Sequence, residues 1–99
     1  MSLIVQKYGG TSVGSVERIE AVADKIAAFC KKGHEVVVAV SAMSGETNRL
    51  INLAQKVNDN PNRRELDVLL STGEQVSISL LCMALNKRDI QAKSYLSLI

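Results

Sequence analysis

The sequence predicts an α/β protein, with a mainly parallel sheet in a three-layer αβα arrangement. Two short apolar runs, Leu3-Ile4-Val5 and Val36-Val37-Val38-Ala39-Val40, have the length and β-branched character of buried strands. A single amphipathic helical stretch separates them, so strand, helix and strand follow one another within the first 40 residues. That is a βαβ unit, whose crossover is right-handed.

The first strand covers residues 2–7 and stops at Gly9-Gly10. A helix follows over about residues 15–32. Its apolar stripe is Val16, Ile19, Val22, Ala23, Ile26, Ala27 and Cys30, spaced by three and four. Ser12 or Ser15 caps its start, and Lys31, Lys32 and Gly33 mark its end. The second strand, residues 36–40, is apolar on both faces and predicts helices on both sides of it. A small, polar loop over residues 41–47 leads into a short helix with Leu50, Ile51, Ala54 and Val57 on its buried side. Residues 58–62 break the pattern, and Asn60-Pro61 offers an N-cap and first-turn pair. A long helix then covers residues 63–86, with Gly73 as a bend or break, and residues 90–96 read as a third strand. A sheet of about three strands is small for this class. The expectation is one domain piece, residues 1–99, of a truncated sheet that wants more strands than these residues supply.

Composition narrows the function classes. The 99 residues are 46% hydrophobic and 22% charged, with a net charge of +2. That balance argues against nucleic-acid or membrane-surface binding. No apolar run approaches the ~20 residues of a membrane span, and the first residues lack the features of a signal peptide. A cytoplasmic protein is expected. Tyr8, Phe29 and Tyr95 are the only aromatic residues, too few for a base-stacking platform. Cys30 and Cys82 lie in apolar surroundings without metal-ligand spacing, so reduced buried thiols are expected and a metal site is not.

Lys7-Tyr8-Gly9-Gly10-Thr11-Ser12 joins the first strand to the first helix. Paired glycines allow positive φ and close approach of a ligand to the backbone. A helix N-terminus adds unpaired N–H groups and partial positive charge, while Lys7 adds a full one. This is a workable phosphate cradle, and equally a tight strand-to-helix turn beside a surface lysine. It is neither the GxxxxGK loop nor the GxGxxG fingerprint.

At these residues the sequence resembles the aspartate kinases. Their opening signature is a lysine, an aromatic residue, two glycines, a hydroxyl residue and a serine, as in residues 7–12. Ser41-Ala42-Met43 is similar to the serine-alanine element after their second strand. Thr72-Gly73-Glu74, with Ser77 three residues on, is similar to their glycine-glutamate helix. The order and spacing match, and the likeness covers nearly the whole chain.

The resemblance implies the amino-acid kinase fold and transfer of the γ-phosphoryl group of ATP to the β-carboxylate of L-aspartate. Mg2+ would be bound through the nucleotide phosphates, and the full-length enzyme would be a homo-oligomer. A carboxylate nucleophile, with a reference pKa of about 4, needs no general base. Positioning and charge neutralisation then carry the catalysis. By resemblance Lys7 neutralises charge on the transferring group, and Tyr8, Gly9, Gly10 and Ser41 line the nucleotide side. Thr47 and Glu74 bind aspartate, Glu74 through its α-amino group. Read without the family, Ser41 is a turn hydroxyl and Thr47 a first-turn helix residue. Glu74 shares a helical sector with Leu70, Ile78, Leu81 and Leu85, where an ionised group needs a partner. A substrate ammonium, a neighbouring cation or a kink at Gly73 would each supply relief.

The resemblance ends early. The family's adenine-binding region, its arginine for the substrate carboxylate and its aspartate near the phosphoryl group have no counterparts here. Nor does Ser94-Tyr95-Leu96 run into the family's glycine. The expectation is a chain with little kinase activity by itself. The alternatives are another amino-acid-kinase-fold enzyme and a non-catalytic module that associates with itself through an open sheet edge.

Overall fold

The computed structural model describes residues 1–95 of the 99. The elements in order are β1 (Leu3–Tyr8), α1 (Val16–Lys31), β2 (Glu35–Val40), α2 (Glu46–Val57) and α3 (Arg63–Lys87). β1 and β2 are parallel neighbours, paired from Leu3 opposite Glu35 to Tyr8 opposite Val40. The βαβ unit expected from the sequence is therefore present.

Local chemistry fixes the ends of α1. The Ser15 hydroxyl accepts from the Arg18 amide at 3.2 Å, so Ser15, not Ser12, is the cap. At the other end Gly33 is left-handed, with φ of 88°. Its amide donates to the Cys30 carbonyl at 3.0 Å, and the His34 amide to the Phe29 carbonyl at 3.2 Å. This double bond pattern is the Schellman ending, which favours glycine at that position. α3 ends in the same way, with Asp89 left-handed at φ of 61° and the Ile90 amide bonded to the Leu85 carbonyl at 3.0 Å. At the start of α3 the expected Asn60 cap is displaced by Asn62, whose side chain accepts from the Glu65 amide at 3.2 Å. The Asn58 side chain takes the Asn60 amide instead, at 2.9 Å.

The core lies between α1, α3 and one face of the sheet. Ile19, Val22, Ala23 and Ile26 of α1 meet Leu81, Ala84 and Leu85 of α3. Val36, Val38 and Val40 of β2 pack against them from below. Val16, expected in the buried stripe, is exposed, and Val13 in the preceding turn is fully buried. The opposite face of the sheet is bare, since Leu3, Val5 and Val37 are 64%, 71% and 54% exposed. So the expectation of helices on both sides of β2 is corrected within the described residues. Alternation along the strand puts Val36, Val38 and Val40 on one side only.

The third strand also differs. Residues 90–95 form no ladder, and Leu96 lies outside the described residues. They run past the covered face of β2, where Ile90 and Ala92 pack on the core. A cavity of about 420 Å3 separates this segment from α1, α3 and β2. A strand exists only through its partner's hydrogen bonds, and here side-chain packing holds the segment without them. Cys30 and Cys82 both line this cavity as free thiols, and burial pushes the Cys82 thiol up.

α3 runs unbroken through Gly73, against the expected bend. Its buried residues are Gly73, Ser77, Leu81, Ala84 and Leu85. The stripe is thus rotated about one residue from the sector through Leu70, Glu74 and Ile78, and Glu74 is exposed. Small residues decide this, because Gly73 lets α2 approach α3 closely. A Cβ built on Gly73 would lie 3.1 Å from the Ala42 Cβ, 3.2 Å from the Glu46 Cγ and 3.6 Å from Leu50 Cδ1. By length and hydropathy α3 is the one described helix that could cross a bilayer, contrary to the reading of the sequence as lacking such a run. Its buried stripe is instead packed against α1 and α2.

Lys87 and Arg88 tie α3 to α1. Lys87 Nζ reaches Glu20 at 2.8 Å, and Arg88 bridges Glu20 at 3.0 Å and Asp24 at 2.8 Å.

Two measurements check this packing. Gly73→Val is expected to cost about 1–3 kcal/mol in urea unfolding by overpacking, although valine is the better helix former. A variant as stable as the parent would refute the close contact of α2 with α3. The second concerns pH. Hydrogen bonds from Lys87 and Arg88 hold the Glu20 carboxyl below its usual 4.5. A depressed carboxyl stabilises the fold above its unfolded pKa, and that contribution is lost as pH falls through the lower folded value. Arg88→Ala should therefore melt earlier than the parent at about pH 7, with the gap closing below about pH 4. A gap of constant size across that range would contradict it.

Candidate functional site

The C-terminal ends of the two parallel strands open onto one set of loops, where open α/β sheets bind ligands. The ladder runs one step past the strands, as the Ser41 amide donates to the Tyr8 carbonyl at 3.1 Å. Next, the Ser44 amide donates to the Gly10 carbonyl at 3.1 Å. Residues 7–10 and 41–44 are thereby stitched side by side.

The glycine turn is wound on itself. The Ser12, Val13 and Gly14 amides donate back to the carbonyls of Gly9, Gly10 and Thr11 at 3.0, 3.3 and 3.4 Å. Three amides remain. Among the described residues those of Gly9, Gly10 and Thr11 have no hydrogen-bond partner in the fold. Consecutive free N–H groups beyond the end of a strand form an anion-binding concavity. Neither glycine is there for positive φ, which belongs to Gly33 and Gly45. Gly10 is needed for space, since a Cβ on it would stand 2.9 Å from the Ala42 carbonyl oxygen. Gly9 faces open space, with nothing within 4 Å of where its Cβ would be. The helix expected from about residue 15 begins at Val16, and the turn fills residues 10–15 ahead of it.

Each expected site residue can now be placed. Lys7 is exposed, on the bare face of the sheet with Leu3 and Val5, and makes no ion pair among the described residues. Tyr8 turns its ring to the core, where its hydroxyl donates to Gln6 Oε1 at 2.8 Å and burial pushes its pKa up. Its contribution at the strand end is therefore the backbone. Ser41 is half-buried at the mouth of β2, and Thr47 is exposed in the first turn of α2. Glu74 is exposed and unpaired among the described residues, so no neighbouring cation supplies the partner considered from the sequence.

Ala42 joins the two halves of this arrangement. Gly10 approaches its carbonyl from one side and Gly73 its Cβ from the other. The glycine turn and the Gly73-Glu74 segment thus meet across one buried alanine, 8% exposed. The sequence names Ala42 only as part of the serine-alanine element and gives no role to Glu46 or Arg49. The available signal was the recurrence of small residues, Ala42 in the loop and Gly73 in the helix. The 420 Å3 cavity lies apart from this region, lined by the segment 90–95 and the core side of β2. We place the site at the strand ends, where the free amides and charged side chains are.

Comparison with known proteins agrees with this geometry. The model of the amino acid kinase family matches residues 2–98. An aspartate kinase of Stutzerimonas stutzeri is 64% identical over 95 residues, which are 96% of this chain and 23% of that protein. Aspartokinase 2 of Bacillus subtilis is 57% identical over 95 residues, 96% of this chain and 23% of that protein. The crystal structure of aspartate kinase from Synechocystis superposes with a TM-score of 0.91 at 58% identity, covering 94% of this chain and 16% of that one. The structure of E. coli aspartokinase III with aspartate and ADP superposes with a TM-score of 0.79 at 21% identity, covering 94% of this chain and 31% of that one, and bears on the fold alone. The chain thus spans about a quarter of the length of the curated relatives it matches. The two parallel strands, their helices and the glycine turn are those of the N-terminal part of an αβα kinase domain, and the chain belongs to the amino acid kinase family.

Proposed function

We propose that these residues form the N-terminal part of the catalytic domain of an aspartate kinase, which transfers the γ-phosphoryl group of ATP to the β-carboxylate of L-aspartate. The observation that carries this is the meeting of the glycine turn and the Gly73-Glu74 segment across Ala42. The identity to aspartate kinases over 96% of the chain supports the same substrate pair.

In this reading the Gly9 and Gly10 amides bind nucleotide phosphate, with the Tyr8 backbone and Ser41 shaping the pocket wall. Lys7 supplies the positive charge that the transferring phosphoryl group needs as negative charge spreads over its oxygens. The aspartate carboxylate is ionised at neutral pH and attacks without a base. Thr47 and the unpaired Glu74 hold the amino acid, Glu74 through the α-ammonium group. The free amides suit the anionic end of ATP, and Mg2+ would enter on the nucleotide's phosphate oxygens. The remaining parts of the site would come from the rest of a longer enzyme. That enzyme is read as cytoplasmic and homo-oligomeric, with no nucleic-acid or membrane partner, in keeping with the net charge of +2.

The bare sheet face favours a second reading for the isolated chain, self-association through Leu3, Val5 and Val37. Sedimentation of the 99-residue chain decides it, and a monomer at high concentration removes it.

The main test is aspartate-dependent ADP release by the full-length kinase carrying these residues. Lys7→Ala should lower kcat by about 10²–10³-fold. Glu74→Gln should raise KM for aspartate at least about tenfold and leave KM for ATP within about twofold. The 99 residues alone should release no ADP above background. Unchanged turnover in Lys7→Ala would falsify the reading.

A further inference from the structure

α2 is weakly anchored. Among the elements it contacts α3 alone, and Leu50 is its one buried residue. Its first turn has no side-chain cap, because the N-cap is Gly45, left-handed at φ of 83°. The Glu46 amide instead closes onto the Met43 carbonyl at 3.0 Å.

What fixes this turn laterally is the Glu46 side chain. Glu46 and Leu50, four apart, lie on the same face of α2 and both reach Gly73. The Glu46 Cγ lies 3.2 Å from where a Gly73 Cβ would be. A glutamate stem is flexible and gives no fixed spacing unless its head is held. Arg49 holds it, its Nη2 on Glu46 Oε1 at 2.6 Å and its Nε on Oε2 at 3.1 Å. Two parallel bonds from a planar guanidinium fix both carboxylate oxygens, which a lysine could not do. The arginine is more exposed than the glutamate, 59% against 28%. The clasp therefore closes from the solvent side onto a glutamate whose stem lies against α3. The same bonds draw the Glu46 pKa down, as expected of a carboxylate kept charged in place.

Thr47 directly follows Glu46, and Glu74 directly follows Gly73. The contact between Glu46 and Gly73 therefore sits next to both residues assigned to the amino-acid substrate. We propose that Glu46 and Arg49 form a positioning pair, which locks the first turn of α2 against Gly73 and so sets the separation of Thr47 and Glu74 across the aspartate end of the site. This rests on the aspartate kinase reading above and adds to it a device that acts on one substrate only. The nucleotide end is built from β1, β2 and the glycine turn, and α2 contacts neither strand.

The experiment is steady-state kinetics on the full-length kinase, with Glu46→Ala, Arg49→Ala and the double variant beside Glu74→Gln. Each single variant should raise KM for aspartate about tenfold while KM for ATP stays within about twofold. The double variant should be no worse than either single one, since losing either partner releases the clasp. Glu46→Gln, which keeps the stem and one oxygen acceptor, should recover part of the loss. Arg49 is exposed, so Arg49→Ala tests the idea without risk to the core. If Glu74→Gln raises KM for aspartate while neither clasp variant does, the positioning pair is wrong and the kinase reading stands. Should none of the three move KM for aspartate, the assignment of the substrate end falls and the pair falls with it. An equal rise in both KM values would show a general loss of structure and overturn the pair.

Discussion

The arrangement depends on how closely three backbones approach at Ala42. Its carbonyl oxygen stands 2.9 Å from where a Gly10 Cβ would be, and its own Cβ 3.1 Å from where a Gly73 Cβ would be. Any larger residue at either glycine pushes the glycine turn away from the second strand's exit, or α3 away from α2. Real Cβ atoms are almost never found at the first of these distances. The loop leaving β2 is therefore a spacer of fixed thickness, set by one methyl group and one peptide unit. Protein interiors are close-packed and transmit such constraints with little compliance. A phosphoryl-transfer site made by positioning needs this kind of rigidity.

Much of this was legible in the sequence because it is local. The apolar runs of β1 and β2, the stripe of α1 and the Gly33 ending follow from residue spacing and turn chemistry. The kinase likeness was carried by residues 7–12 and 72–74, which the fold brings to one region. What was not legible involves partners distant in sequence. Periodicity alone put Glu74 on the buried sector with Leu70 and Ile78, yet the buried line runs through Gly73 and Ser77. Hydrophobic counting favours large side chains, whereas a close helix contact selects small ones. Ser77 is fully buried, and its hydroxyl returns to the Gly73 carbonyl at 3.4 Å. Such a serine behaves as a small packing residue whose polar atom is satisfied within its own helix.

The strands show the same limit from the other side. Five apolar residues in a row on β2 say that both faces avoid water, but not what covers them. Within the described residues one face is covered and Val37 on the other is 54% exposed. Likewise the pattern over residues 90–96 suits a strand, and a strand is a relation between two segments. The cap of α3 is a finer case. Asn58, Asn60 and Asn62 are all able to cap, and in the fold Asn62 takes the Glu65 amide while Asn58 takes that of Asn60.

The carboxylates separate into two kinds by their partners. Glu20 is held by Lys87 and Arg88, and Glu46 by Arg49, so each spends its charge inside the fold. Glu74 has no such partner among the described residues and sits beside a close helix contact. The amides of Gly9, Gly10 and Thr11 are the matching case on the other side of Ala42, three donors that the turn does not use. Glu74, Gly9 and Thr11 are exposed and Gly10 is half-buried, so both sets are open to water and need not destabilise the fold. Each also presents charge or dipole opposite to what a kinase substrate pair brings, an ammonium to one and phosphate oxygens to the other. On the proposed reading, the groups left unpaired on either side of this rigid spacer are the complements of an amino acid's ammonium and a nucleotide's phosphate.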